Sequence, residues 1–345
     1  MDAETDNDYD TWDASEHMRP APARPPARKA NPTPSAPPPS AGQAAPAHPG
    51  RRAAKAAPSG RPVPHGRHLR NFPGFIARSA MFRACSSNAP FEQATEVKVQ
   101  GDCKLTLSGP MLTMRDKHVW ETAIQLAKLR APSVSDAFEI ELRDFDRRMR
   151  EGMAAPGDEA DKDREPNGRA LASIWSSLKR LALCRVEFEI NGSCRGVGSL
   201  LATAYKESGR LYLRLNPDCA VPFLLGDKQF ALNQARRAAL PSALAQWLHD
   251  FLSTHKVAKS MDLLYLRELC GYGGPGKNFP GKLQRAMEAL AVAAPGLVAS
   301  FNIEKLGRNS DAWELAVVRG AEKPSYLKAE SVPAAAPTGR GGVSL

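Results

Sequence analysis

The segment "MDLLYLRELCGYGGPGKNFPGKLQRAMEALAV", residues 261–292, places a glycine-rich stretch between two helical patterns. The first pattern predicts a helix that Ser260 caps and Gly271 ends, because glycine readily adopts the left-handed conformation found at helix ends. In the second pattern, apolar residues share one face at helical spacing: Leu283, Ala286, Met287 and Leu290. The segment therefore predicts two helices joined by a glycine-rich turn.

Two stretches of this turn nearly match the phosphate-binding loop of nucleotide hydrolases. Residues 271–277 and 276–282 both read G-x-x-x-x-G-K. A complete motif continues with Ser or Thr, which holds the magnesium ion, whereas Asn278 and Leu283 follow here. Two interpretations stay open: a degraded nucleotide site, or a turn that directs a basic helix towards another phosphate-bearing partner.

The surrounding elements complete one structural unit. A helix in "LPSALAQWLHDFLSTH" precedes the segment, with Pro241 in its first turn and Trp247 on its buried face. Two candidate strands follow, "GLVASFNIEKL" and "AWELAVVRG", joined by the polar tip "GRNSD". Three helices with a strand pair after the third are typical of the winged helix, a helix-turn-helix variant whose third helix enters the DNA major groove.

The same order of elements occurs earlier in the chain. "TMRDKHVWETAIQLAKLRA" predicts a helix with Thr113 as N-cap and Asp116 three residues on, close to a capping box. "FEIELRDFDRRMRE" predicts a strand and a second helix, and "RALASIWSSLKRLALC" predicts a third helix. "RVEFEI", "GVGSLLATAY" and "RLYLRLN" predict three strands with turns at 191–192 and 207–209. The predicted fold class is α+β, with two tandem winged-helix domains after a disordered N-terminal arm.

Composition sets the predicted domain boundaries. Residues 1–70 start acidic and continue rich in Pro, Ala and Arg, which predicts a disordered arm that is either a tether or a basic DNA-binding segment. Residues 71–220 are the predicted first winged-helix domain, which opens with a hairpin in "TEVKVQGDCKLTLSG", and residues 221–320 are the second. Residues 321–345 return to low complexity and predict a flexible tail.

Charge and residue usage narrow the classes of function. The net charge of +10 and the pI near 9.4 favour a polyanionic partner, most often nucleic acid. The six cysteines show no metal-binding spacing, so we expect no metal and a reducing, cytoplasmic location. No apolar run approaches the roughly 20 residues of a membrane span, so we expect no membrane contact.

Nothing in the sequence supports catalysis. Acid pairs such as Asp144 and Asp146 have no partner nucleophile, and His118, His249 and His255 lie at spacings that make no metal site. We therefore expect a protein that is not an enzyme and needs no cofactor.

Several short segments together resemble the TrfA family of plasmid replication initiators, and they span residues 70–320 approximately. They are "ARSAMF" (77–82), "RDKHVWETAIQLAK" (115–128), "LKRLALCRVEFE" (178–189), "LLGDKQFALN" (224–233), "WLHDFLSTH" (247–255) and "LYLRELCG" (264–271). The resemblance implies a protein that binds directly repeated sequences (iterons) in double-stranded DNA at a plasmid origin. It also implies that this protein helps to open the origin and recruits host proteins, namely the replication initiator and the replicative helicase.

The resemblance further implies an oligomeric equilibrium, in which a monomer binds DNA and a dimer is less active. Dimerisation and auxiliary DNA contact would fall to the first domain, and principal DNA binding to the second. Two features depart from the family's pattern: the loop at 152–168 is long and acidic, and "QFALN" from Gln229 is a poor match to a sliding-clamp-binding pentapeptide.

Polar residues of the last predicted helix lie opposite its apolar face. Arg285 can take guanine O6 and N7 as a bidentate pair, and Gln284 can do the same with adenine N6 and N7. Lys277 and Asn278 come just before the helix, where phosphate oxygens meet free backbone N–H groups. The predicted DNA-binding residues are Lys277, Asn278, Lys282, Gln284 and Arg285, with Arg308 and Asn309 at the tip between the strands and Lys179 and Arg180 in the first copy.

Alternatives remain for these residues and for the whole chain. A helix face that shows Lys, Arg and Gln to water is the alternative for each residue. For the function, the sequence leaves open a winged-helix transcriptional regulator and, more remotely, a nucleotide hydrolase with a loop that resembles the phosphate-binding motif.

Overall fold

The structure of the chain is a computed structural model. It describes residues 69–85, 91–131, 133, 136–154, 165–192, 194–219, 223, 229–256, 259–307, 312–322 and 324. These residues all belong to one compact unit, residues 58–345. Helices and antiparallel strands alternate in it, which makes the fold α+β as predicted. The predicted arm, residues 1–70, lies outside the described residues except at its last two positions.

Eight helices and twelve strands have bounds within the described residues. The strands are β1 (Leu69–Pro73), β2 (Phe91–Val97), β3 (Cys103–Gly109), β4 (Phe138–Glu141), β5 (Arg185–Ile190), β6 (Cys194–Ser199), β7 (Leu201–Glu207), β8 (Arg210–Leu215), β9 (Gln229–Asn233), β10 (Lys259–Asp262), β11 (Ser300–Lys305) and β12 (Trp313–Val318). The helices are α1 (Gly74–Ala77), α2 (Met114–Arg130), α3 (Leu142–Met153), α4 (Gly168–Leu183), α5 (Gln234–Ala238), α6 (Ala243–Ser253), α7 (Leu263–Leu269) and α8 (Phe279–Ala293).

One arrangement occurs twice along the chain. The order is helix, strand, helix, helix, strand, strand. The first copy consists of α2, β4, α3, α4, β7 and β8, and the second consists of α6, β10, α7, α8, β11 and β12. In each copy the first strand pairs with the third, and the third pairs with the second, giving the sheets β4-β8-β7 and β10-β12-β11. We call these the first and second repeat units.

The first unit carries an insertion that the sequence pattern did not reveal. The stretch "GVGSLLATAY", predicted as one strand, breaks at Leu200 into β6 and β7, which belong to different sheets. Strands β5 and β6 join the predicted hairpin β2–β3 in a four-stranded sheet, β2-β3-β5-β6. The predicted turns are confirmed, since Asn191 and Ser208 have φ angles of 52° and 47°, followed by Gly192 and Gly209 at 66° and 84°.

Some predicted helix ends are confirmed and others differ from the prediction. Thr113 and Asp116 form the predicted capping box at the start of α2, with Thr113 N donating to Asp116 Oδ2 at 2.8 Å. Gly271 follows α7 with φ +63°, in the left-handed region, as expected. Ser260 does not cap α7, because it lies in β10 and Asp262 accepts the capping hydrogen bond from Tyr265 N instead. Pro241 precedes the N-cap Ser242 rather than lying in the first turn of α6.

The two units share one hydrophobic core. Buried apolar residues from both form a single cluster, which includes Phe72, Trp120 and Trp247. Strand β1 pairs with β9 across the boundary predicted near residue 220, so residues at the start of the predicted first domain are hydrogen-bonded to the predicted second domain. "QFALN" is this strand β9, with Phe230 and Leu232 buried.

A cluster of buried charges lies between α2 and the helices α5 and α6. Asp250 accepts hydrogen bonds from Lys117 Nζ at 2.5 Å and from Arg237 Nη1 at 2.6 Å, and Arg237 also forms an ion pair with Glu121. All four side chains are at most 2 % exposed. We call these residues the buried ionic cluster; charges this well shielded must be paired to be tolerated.

The predicted acidic loop and the predicted tail are described only in part. Residues 155–164 of the predicted acidic loop lie outside the described residues, while 152–153 belong to α3 and Gly168 begins α4. At the start of the predicted tail, Glu322 pairs with Arg236 at 2.7 Å, so this part is held against the fold. In the described part of the chain, no helix is both long and apolar enough to cross a bilayer.

The cysteines behave as small apolar residues where they are buried. Burial raises the pKa of the Cys184, Cys219 and Cys270 thiols to about 12. They stay protonated at neutral pH, and a thiol rather than a thiolate is a poor nucleophile.

Candidate nucleic-acid interface

Helix α8 separates a buried face from an exposed polar face. Its apolar residues are buried as their spacing predicts: Leu283, Ala286, Met287 and Leu290. The residues predicted to contact DNA are exposed: Lys277, Asn278, Lys282, Gln284 and Arg285. The helix therefore presents Lys282, Gln284 and Arg285 to solvent, and Lys277 and Asn278 are exposed just before it, while its other side anchors it in the core.

The glycine-rich turn is fixed by contacts with the residues before it. Arg267 Nη2 donates to Gly274 O at 3.1 Å, and the Tyr272 ring lies 5.2 Å from the buried Phe279 ring, measured between centroids. Gly271 is required twice over, because its φ is +63° and a Cβ there would lie 2.7 Å from Arg83 Nε. These contacts set the position at which α8 begins.

No backbone angle or close contact within the described residues explains why position 281 is a glycine. It lies in the exposed first turn of α8, and a Cβ built there would meet nothing within 4 Å. Glycine inside a helix costs about 1 kcal/mol relative to alanine. No packing within the described residues offsets this cost, whereas a missing side chain on an exposed face lets a partner approach the backbone closely.

The polar residues of this face differ in how far they are already engaged. Gln284 Nε2 donates to Glu288 Oε1 at 2.8 Å, one helical turn further on. No described residue accepts a hydrogen bond from Arg285, so its five N–H donors are available for a ligand. Asn278 precedes α8 with helical backbone angles and makes no capping hydrogen bond with its side chain.

The predicted tip residues Arg308 and Asn309 lie outside the described residues. The strands that lead to them are described: β11 ends at Lys305, which pairs with Trp313 at the start of β12. The pairing of β11 with β12 is antiparallel, and the role of the tip residues stays a prediction.

Helix α4 is the counterpart of α8 in the first unit. Its buried positions have the same spacing as Leu283, Ala286, Met287 and Leu290 of α8, namely Ile174, Ser177, Leu178 and Leu181. In this register Ser173 and Ser176 correspond to Lys282 and Arg285, and Lys179 corresponds to Glu288. The first unit therefore presents hydroxyl groups where the second presents cations.

The two residues predicted in α4 have different surroundings. Lys179 is exposed. Arg180 instead binds the buried Asp116 through Nε at 3.1 Å and Nη2 at 2.7 Å, so a phosphate contact by Arg180 would compete with this ion pair. The pair also ties the start of α2 to α4, a structural role that the sequence did not indicate.

The arrangement does not match a nucleotide-binding loop. Such a loop follows a strand and opens a helix, whereas helix α7 leads into the glycine-rich turn here. Lys277 lies in a short 3₁₀ helix, residues Gly276–Asn278, and not in a loop that could wrap phosphates.

Comparisons with known proteins do not identify a function for this chain. No family model matches the sequence, and no curated protein matches it. Two crystal structures of domains 2 and 3 of RctB are similar in fold: both are 11% identical to this chain, cover 72% of it and are themselves covered to 98% and 97%, with TM-scores of 0.45 and 0.40. Scores this low support no conclusion about function. The likeness to the TrfA family rests on the quoted segments alone.

Proposed function

We propose that this protein is a plasmid replication initiator without catalytic activity of its own. Its two repeat units are winged-helix domains that bind directly repeated sequences at an origin, and α8 is the principal reading helix. Once bound, the protein helps to open the origin and recruits the host replication initiator and replicative helicase. A monomer binds DNA, and dimerisation through the first unit reduces that activity.

One observation carries the proposal: the same order of helices and strands occurs twice, and in the second copy the third helix presents an exposed polar face. In a winged helix this third helix enters the major groove, which has room for an α-helix. The exposed Arg285 and Gln284 are the residue types that read guanine and adenine there. The quoted sequence segments extend the proposal from DNA binding to initiation.

A transcriptional regulator is the second candidate, since winged helices serve both functions. Footprinting on the plasmid DNA around the coding region separates the two. We expect several directly repeated protected sites of about two helical turns each, because each repeat would hold both units of one chain. One protected palindrome at a promoter would favour the regulator and contradict the initiator.

The nucleotide-hydrolase alternative has its own test. The helix before the glycine-rich turn and the missing Ser or Thr both argue against it. Micromolar ATP affinity that is lost in Lys277→Ala would support it instead.

A further inference from the structure

A cleft lies beside α4, between the first repeat unit and the helices α5 and α6. It has a volume of about 640 Å³ and is lined by residues from the five helices α2 to α6 and the segments next to them. Its polar lining includes Thr113, Arg115, His118, Ser173, Ser176 and Arg180. Arg115 and Ser176 are partly exposed, so the cleft is accessible from solvent.

Two helices begin at this cleft. Met114 opens α2 and Ala243 opens α6, and both residues line it. The first turns of a helix carry unpaired backbone N–H groups and about half a positive charge, which favour anions. These helices have 17 and 11 residues, long enough for the effect to be fully developed. The backbone of both helix ends therefore contributes a positive potential to the cleft.

Arg115 adds a positive charge that makes no hydrogen bond or ion pair with a described residue. No described group accepts a hydrogen bond from it, and its Nε is shielded from water. Burial lowers the pKa of Arg115, although Asp146 and Asp116 act in the opposite direction. Both carboxylates are already committed, since Asp116 binds Arg180 and Asp146 binds Arg150 at 2.8 Å. The guanidinium therefore keeps N–H donors for a group outside the chain.

The position of Arg115 is itself unusual. It lies in the first turn of α2, where a cation opposes the positive end of the helix dipole and destabilises the helix. This placement is a signal in the sequence: a basic residue two positions after an N-cap is unfavourable unless an anion lies near it.

His118 supplies a second unsatisfied group. Its side chain is 5% exposed, lines the cleft, and has no hydrogen-bond partner at Nε2 among the described residues. Burial, helped by Arg237, lowers the pKa of His118 well below its ordinary range, so the imidazole is neutral at pH 7. A neutral imidazole protonated at Nε2 is a donor that requires an acceptor.

We infer that this cleft binds a phosphate group of the DNA backbone, with Arg115 and His118 as donors and Ser173 and Ser176 as further hydroxyl partners. The inference rests on the proposed DNA-binding function and assigns the contact that the first unit makes. DNA is the favoured source of the phosphate because Ser173 and Ser176 occupy the α4 positions that correspond to Lys282 and Arg285 of α8. Arg115, from α2, supplies a cation beside this face of α4, whose own Arg180 is paired with Asp116.

The test measures affinity and its salt dependence on a mixed-sequence duplex of about 30 base pairs, long enough for both units. Arg115→Gln should weaken binding about tenfold, because one charge-assisted contact is lost. It should also flatten the slope of log K against log salt by about one unit. Arg115→Lys, which keeps the charge, should restore most of the slope. Arg130→Gln is the matched control, since it removes the same charge about 22 Å away on α2 and should leave binding unchanged.

A second variant covers the case in which Arg115→Gln does not fold. Ser176→Asp places a carboxylate at the partly exposed edge of the cleft and should weaken binding at least as much without lowering Tm. If both Ser176→Asp and a folded Arg115→Gln bind DNA with wild-type affinity, this inference is overturned and the proposed function is not affected.

Two other outcomes would also contradict a DNA contact in this cleft. Tight binding of orthophosphate or ATP that Arg115→Gln abolishes, with DNA affinity unchanged, would make the cleft a small-ligand site and overturn the DNA contact. If the wild-type chain binds no duplex at all, the proposed function fails together with this inference.

Discussion

Replacing Asp250 with Ala should lower the free energy of unfolding by roughly 3 to 5 kcal/mol, the usual cost of breaking a buried ion pair on one side. Asp250 is fully buried and accepts hydrogen bonds from both Lys117 and Arg237. Without it, two buried cations share the single carboxylate of Glu121. Urea unfolding of the full chain, followed by circular dichroism, measures the loss.

Glu139→Ala is the matched control for this change. It removes the same charge from an ion pair with Arg210 in which both side chains are about half exposed. Exposed pairs contribute at most about 1 kcal/mol, so the control should stay close to wild type. Equal losses in the two variants would mean that water or protonation already relieves the buried ionic cluster.

The charge state of Asp250 fixes the pH range of this stabilisation. Burial alone would raise the pKa of Asp250, but Arg237 and Lys117 together hold it well below its ordinary range. The unfolded side chain titrates near pH 3.9. The contribution is therefore fully present above that pH and is lost only as the pH falls below it.

Arg285→Ala should reduce affinity for the cognate repeat by roughly 5- to 150-fold, the cost of about 1 to 3 kcal/mol for a lost bidentate base contact. Affinity for unrelated DNA should change little, because base contacts add nothing there. Fluorescence anisotropy with a footprinted repeat and with a scrambled duplex of the same length measures both values. Arg285 is exposed and lies opposite the buried Leu283 and Met287, so the substitution should leave Tm unchanged.

Lys277→Ala gives the contrasting pattern. Lys277 is exposed just before α8, where we expect a phosphate contact. Its removal should weaken binding to both duplexes alike and lower the salt slope by about one unit. If Arg285→Ala also weakened both duplexes equally, Arg285 would be a phosphate contact and not a base-reading residue.

Sequence reasoning succeeded where the deciding contacts are local. The capping box of Thr113 and Asp116 spans three residues, and Gly271 ends its helix because of its own backbone freedom. The two faces of α8 follow from the spacing of four apolar residues, so the exposure of Lys282, Gln284 and Arg285 could be predicted. Whether these residues read bases stays a prediction.

The errors involve partners distant in sequence. Ser260 and Asp262 are equally good N-caps by residue type, and the pairing of β10 with β12 decides between them. The break at Leu200 separates strands that pair with β5 and β8 in different sheets. Strand β1 pairs with β9, which lies about 160 residues further along the sequence.

The buried ionic cluster was missed for the same reason. Lys117 and Glu121 look like an ordinary surface pair four residues apart on a helix. Only the packing of α2 against α5 and α6 shows that Arg237 and Asp250 cover them. Arg115 was passed over too, since its surroundings come from four helices.

Hydroxyl-radical footprinting of one protected repeat tests most directly the central claim that both repeat units bind DNA. With two units in one chain, we predict two protected patches on the same face of the duplex, about one helical turn apart. Lys277→Ala with Arg285→Ala should weaken the patch made by α8, and Arg115→Gln should weaken the other. A single protected patch that only the α8 substitutions affect would contradict the account.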